Sequence, residues 1–275
     1  MGKVKIKRKS TLIDMTAMSD VTVLLLTFFM LTSTFLQKEP AMVITPSSVS
    51  DEKVPTSDFV TVLVSSESAD ERLTPEQRQQ EEGKVFLSFA GSTDSTYSSP
   101  YVRKRILEKA VSIYNSQHEK QKIELDPNQI QAFSGIHMFG VPFQFLPTYL
   151  SMSDLERDKF QKNLSDPNMG IPYDTFNKDP KSSRLNELQI WFRAIRETAE
   201  GISKDRKEAL KASGATDEEI QQMEDFKKAL QEGKGIGVKA DRNTPWTVVA
   251  RVFDNLQTMS LNKFIIMTSL ASEDN

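Results

Sequence analysis

Apolar and polar positions divide the chain into a short apolar run, a proline-bearing polar interval and a long mixed region. From Ala17 to Leu36 the sequence reads AMSDVTVLLLTFFMLTSTFL, twenty residues with one formal charge. That is close to the ~20 apolar residues that cross a hydrocarbon core of ~30 Å, so the pattern predicts a transmembrane helix over 17–36. Residues 37–57 carry three prolines among small polar residues and read as an extended linker. Next, Asp58-Phe59-Val60-Thr61-Val62-Leu63-Val64 alternates β-branched and apolar side chains, the mark of a strand, and 84–89 repeats it. The polar interval between them is too long for a tight hairpin.

Helical spacing follows. Val102, Ile106, Leu107, Ala110, Val111 and Tyr114 lie on one face of a helix over 99–118, and Leu188, Ile190, Trp191, Ala194 and Ile195 mark another over 186–200. A third, over 216–231, opens with Thr216 and Glu219 at the separation of a capping box and stops at Gly233. A strand over 236–240, a helix over 245–258 and a strand over 263–268 complete the order. The prediction is an α+β fold, with a small mixed sheet packed by helices over 58–275. Phe133, Phe139, Phe143, Phe145 and Tyr149 are expected in its core, because large apolar side chains usually sit inside.

Charge sharpens the reading of the N-terminus. The chain has 275 residues and a formal net charge of −3, yet Lys3, Lys5, Lys7, Arg8 and Lys9 crowd into its first nine residues. A basic cluster before a membrane helix places residues 1–16 in the cytoplasm and everything after 36 on the far side. A cleaved signal peptide has a similar outline. It fits less well, because no small-x-small cleavage site follows the apolar run and Asp20 sits within it. With 27% charged residues and mean hydropathy of −0.43, a polytopic membrane protein is excluded. The slight acidity argues against nucleic acid as a partner. The chain has no cysteine and two histidines, His118 and His137, which removes thiolate chemistry and most metal chemistry.

Asp20 is the informative residue. A carboxylate at the centre of a membrane helix costs ~2.5–3.5 kcal/mol on insertion scales, so it generally faces a partner or an aqueous path. At 100° per residue Thr16, Asp20, Thr27 and Thr34 fall within an arc of about 40°, a narrow polar stripe headed by one titratable group. The threonines alone could simply bond to carbonyls one turn back. Asp20 is expected either to move protons or to make a static contact between helices.

The run Ile13-Asp14-Met15-Thr16-Ala17-Met18-Ser19-Asp20-Val21, followed by LLLTFFMLTSTF, resembles the N-terminus of the ExbD/TolR family. The family pattern is roughly D-M-T-P-M-x-D-V; Ala17 stands where proline is usual. Val43-Ile44-Thr45-Pro46 is similar to a short family segment after the helix, and residues 234–270 to the family's last strand–helix–strand unit, with Asp241 at a common aspartate. The resemblance implies a single-pass subunit of the bacterial inner membrane with a periplasmic domain, in which 119–232 would be a helical insertion. It implies that Asp20 carries protons driven by the proton motive force, with Thr16, Thr27 and Thr34 lining its path. The implied partners are a pentameric ExbB/TolQ-like subunit, a second copy of this chain, and a TonB/TolA-like protein powered for transport across the outer membrane. The other readings are a membrane anchor gripping the cell wall or a periplasmic partner, and a signal-anchored hydrolase.

No catalytic constellation is visible, and no cofactor or metal is expected. Gly233-Lys234-Gly235-Ile236-Gly237 lacks a phosphate-loop pattern and reads as a turn from helix to strand. His118 lies in a charged run and should be solvated, whereas His137 should be packed among aromatics. Glu218, Glu219, Glu224 and Asp225 read as an exposed helix face.

Overall fold

The computed structural model describes residues 15–32, 39–40, 43–48, 54–65, 83–92, 95–161, 163, 166–173, 184–223, 225–242 and 244–270. The chain divides into two compact units, Met1–Lys38 and Glu39–Asn275.

The first unit contains helix α1, Met15–Thr32, of 18 residues. Its 18 described residues extend about 27 Å at 1.5 Å rise per residue. Its first turns carry Thr16, Ser19, Asp20 and Thr22, so the apolar stretch proper is shorter still. No helix among the described residues is long and apolar enough to cross a membrane. This corrects the transmembrane helix expected over 17–36. The single-pass inner-membrane topology, the membrane-embedded partnerships, the membrane-anchored alternative and the transmembrane proton-carrier mechanism lose their premise with it.

The second unit is a mixed α+β domain with a small sheet packed by helices. Its five-stranded sheet contains β2 (Phe59–Ser65), β3 (Lys84–Ala90), β4 (Met138–Phe139), β5 (Ile236–Ala240) and β6 (Ile265–Met267), in the order β4-β3-β2-β5-β6. A separate pair joins β1 (Ser47–Ser48) in parallel to β7 (Ser269–Leu270). Central β2 runs antiparallel to β3 and parallel to β5, with Val62 opposite both Leu87 and Val238.

Strand alternation gives the sheet two apolar faces. Val60, Val62, Val64, Val85, Leu87, Phe89, Ile236 and Val238 point into the main core. Leu63 and Phe86 point the other way and meet Met138 and Met169, with Val43 and Phe160 against them. The main core is closed by α2 (Ser99–Gln117), α6 (Glu187–Ala212) and α9 (Trp246–Thr258). Between them come α3 (Pro127–Gly135), α4 (Leu146–Ser151) and α5 (Asp154–Gln161), with α7 (Asp217–Gln222) and α8 (Phe226–Glu232) after α6.

Caps account for several boundaries. Asn186 and Gln189 form a capping box at the start of α6, as do Thr216 and Glu219 at the start of α7. The helix expected over 216–231 is interrupted at Met223, because Asp225 accepts the Lys228 N–H at 2.8 Å and starts a new helix. Asp225 also accepts the Ser203 hydroxyl at 2.6 Å and is buried rather than exposed. Gly233 closes α8 in the left-handed region at φ 88°, a conformation that suits glycine.

The aromatic residues do form core. Trp191 stacks on Phe143 at 5.0 Å and on Phe133 at 6.1 Å, while Phe139 meets it edge-on at 4.8 Å. Phe145 packs at the margin on Phe160. Trp191 joins α6 to three different segments of 133–143, so Trp191→Ala is expected to destabilise the domain by about 3–5 kcal/mol. Urea denaturation followed by far-UV circular dichroism measures this; a loss below about 1 kcal/mol would deny Trp191 that role.

Candidate functional site: an apolar helix and a docked strap

Two features outside the main core invite a partner. The first is α1. Val21, Leu24, Leu25, Phe28 and Leu31 are all exposed, Leu31 at 87%. A helix apolar on all sides is ordinarily buried against something. Asp20 is exposed on it. The Thr27 hydroxyl donates to the Leu24 carbonyl at 2.9 Å, and Thr22 to the Met18 carbonyl at 2.7 Å. Thr27 thus shows the local back-bonding that a threonine on a helix can satisfy alone. Thr16 lies within α1; Thr34 is outside the described residues.

The second feature is the extended segment 43–48, a strap laid on the sheet domain. Its Ile44 N–H donates to Asp241 Oδ2 at 2.8 Å, and its Ile44 carbonyl accepts the Arg242 N–H at 2.9 Å. Asp241 follows β5 and is held there by its own N–H, which donates to the Val64 carbonyl at 3.1 Å. Val43 covers the smaller apolar face, and Ser47 and Ser48 pair with Ser269 and Leu270. Glu39 meets Lys239 at 2.7 Å. The strap is therefore held by main-chain bonds, one buried carboxylate, one ion pair and one apolar anchor.

Other polar groups serve the interior. Arg103 is buried, with its Nε donating to the Phe89 carbonyl at 3.1 Å and a terminal nitrogen to the Ser134 carbonyl at 3.0 Å. It also contacts His137 Nδ1 at 3.2 Å. His137 lies at the surface, contrary to expectation. Partial desolvation of the ring, and then the Arg103 charge, hold its imidazole below the usual range. His118 is half-buried and stacks on Tyr114 at 4.2 Å, not freely solvated. Asn186 donates to Asn255 Oδ1 at 2.8 Å inside the core, tying α6 to α9. Asp58 enters β2 at φ 50° beside Arg206, and burial raises its carboxyl against the pull of that cation.

The glycines at 233–237 serve close packing rather than a phosphate. A Cβ on Gly235 would stand 2.7 Å from the Leu230 nitrogen, and one on Gly237 2.5 Å from the Phe59 ring. Among the described residues, no group of three or more His, Cys, Asp or Glu could hold a metal ion. Sequence reasoning singled out Asp20 and Asp241 but missed Arg103, whose place on an otherwise apolar helix face was the available signal.

Residues 7–132 match the family model described as biopolymer transport protein ExbD/TolR. The match takes in α1, the strap, β2, β3 and α2; the resemblance seen over 234–270 is not part of it. No curated protein and no solved structure matches the chain.

Asp241→Ala removes the acceptor of the Ile44 N–H. A loss of about 1–2 kcal/mol in the strap's docking is expected, speeding exchange of the Ile44 amide roughly 5–30-fold. Hydrogen exchange with mass spectrometry reads this, and unchanged exchange over 43–48 would show that Asp241 does not hold the strap.

Proposed function

We propose that this chain, whose residues 7–132 belong to the ExbD/TolR family, works as one component of an assembly that couples energy to biopolymer transport. The family match is the observation that carries the reading. ExbD/TolR proteins are transport components and not enzymes, and the chain is no exception to that description.

The two units suit different tasks in such an assembly. Helix α1 offers apolar side chains on every side, which favours burial among helices of a partner subunit over exposure to water. Asp20 is the natural fixed point of that contact. A carboxylate carried into an apolar interface requires a cation or hydrogen-bond donors opposite it, so it selects one register of packing. Thr16 and Thr27 share its face by helical spacing and form the remainder of the proposed contact stripe. The Glu39–Asn275 unit would supply the surface for the other contacts of the assembly.

The experiment is genetic and biochemical together. Deleting the gene should abolish energy-dependent uptake of a large substrate, and the wild-type chain should restore it. Asp20→Ala should lower co-purification of a helical partner with the tagged full chain about tenfold, a loss of about 1.4 kcal/mol, with Asp20→Glu recovering most of it. Uptake unaffected by deletion would reject the transport role; co-purification unchanged in Asp20→Ala would reject the proposed contact.

A further inference from the structure

The loop between β4 and α4 is pinned to the central helix by one carboxylate. Glu187, in the first turn of α6, accepts the Phe143 N–H on Oε2 at 2.7 Å. Phe143 is fully buried, with its ring stacked on Trp191 at 5.0 Å and on Tyr114 at 4.6 Å. The next residue, Gln144, bonds Gln121 at 2.9 Å and also reaches the Tyr114 hydroxyl. Through Phe139, paired with Leu87, the same segment completes one edge of the sheet. The link from Glu187 to Phe143 therefore fastens a sheet edge and a core aromatic to the N-terminus of α6.

We propose that residues 140–145 form a pH-responsive clasp on the N-terminus of α6, held through Glu187 and loosening as the solution becomes more alkaline.

The argument turns on what faces that carboxylate. From α2 comes Tyr114, a neutral phenol, with His118 stacked on the ring. From the loop come Pro142, Phe143 and Gln144, none of them charged. Before α6, Arg184 is exposed. No ion pair to Glu187 is formed among the described residues, and His137 answers to Arg103 instead. An ionised Glu187 gains from the Phe143 N–H and from the helix dipole. It is nevertheless half-buried, with no ion pair formed among the described residues, and the burial cost is the larger effect. Burial pushes its carboxyl up to about 7, the Phe143 bond opposing the rise.

The sign follows from linkage. Closed, the clasp holds a proton that the opened, hydrated carboxylate releases above its ordinary value of 4.5. Closure is therefore at full strength below about 4.5, weakens as pH rises through the interval to about 7, and levels off above it. Opening unseats Phe143 from Trp191 and frees the edge of β3 at Leu87 and Ser88. The inference concerns residues beyond the family match and does not depend on the transport reading.

Hydrogen exchange of the full chain, corrected for intrinsic rates and compared at pH 5 and pH 8, tests it. Protection of the Phe143, Phe145 and Leu146 amides should fall on the order of ten- to a hundredfold across that interval, while amides of β2 hold steady. In Glu187→Gln, which keeps an acceptor for Phe143 but cannot titrate, the local fall should vanish. Protection that is flat with pH in the wild type, or an equal fall in β2, would overturn the clasp. If Glu187→Gln does not fold, carbon-detected titration of Glu187 in the wild type decides. A midpoint near 7 supports the proposal; one near 4.5 overturns it.

Discussion

A central strand with no face left for water is the constraint on which this domain depends. Val60, Val62 and Val64 of β2 are buried on one side and Phe59 and Leu63 on the other. A strand of this kind cannot be stable until both sides are covered. The main side is met by long helices, whose apolar stripes are broad enough to do it alone. Among the described residues, no long helix packs on the smaller side. Met138, Met169 and Phe160 reach it from the region after α2, and Val43 reaches it from the strap. The strap and the loops beyond β3 are in this sense obligatory parts of the sheet.

The same constraint explains why polar groups penetrate so far. Arg103, Asn186, Asn255 and Asp225 are all at least nine-tenths buried, and each ends on hydrogen-bond partners from another element. Arg103 joins α2 to β3 and to the end of α3; Asn186 joins α6 to α9; Asp225 joins α8 to α6. Glu187, only half-buried, differs from them: among the described residues it has one main-chain donor and no ion pair. Buried polar groups that are fully paired fix a unique packing, while an incompletely compensated one remains responsive to its surroundings.

How much of this could be read from the sequence depended on the range of the interaction. Strands β2, β3 and β5 and helices α2 and α9 emerged within a few residues of their bounds, because period and turn residues are local signals. The Thr216–Glu219 box was legible for the same reason, and Asn186 with Gln189 carried an equivalent signal that went unused. Helix α6 runs on to Ala212, well past the expected end at Glu200, because Gly201 only weakens a helix and the exposed face beyond it is rich in good helix formers. The break at Met223 depended on Ser203, twenty-two residues away, meeting Asp225. Parallel pairing of β2 with β5 joins segments about 175 residues apart and leaves no mark in either. The apolar run at 17–36 met a length criterion by composition, but the first turns of α1 carry Ser19, Asp20 and Thr22, and no described helix is long and apolar enough to cross a membrane. For the candidate site, Asp20 was readable as a charge among apolar neighbours, whereas Glu187 was one acid among many.

The pairing of β1 with β7 has a mechanical side. The two strands run parallel, and the chain enters the domain through one and approaches its end through the other. Tension between the strap's leading end at Glu39 and the chain beyond Leu270 would draw such a pair apart lengthwise. The rungs then resist in shear, together with the two bonds at Ile44, instead of parting one after another as they would in an unzipping geometry. A joint so oriented transmits a pull to the sheet before it yields to one.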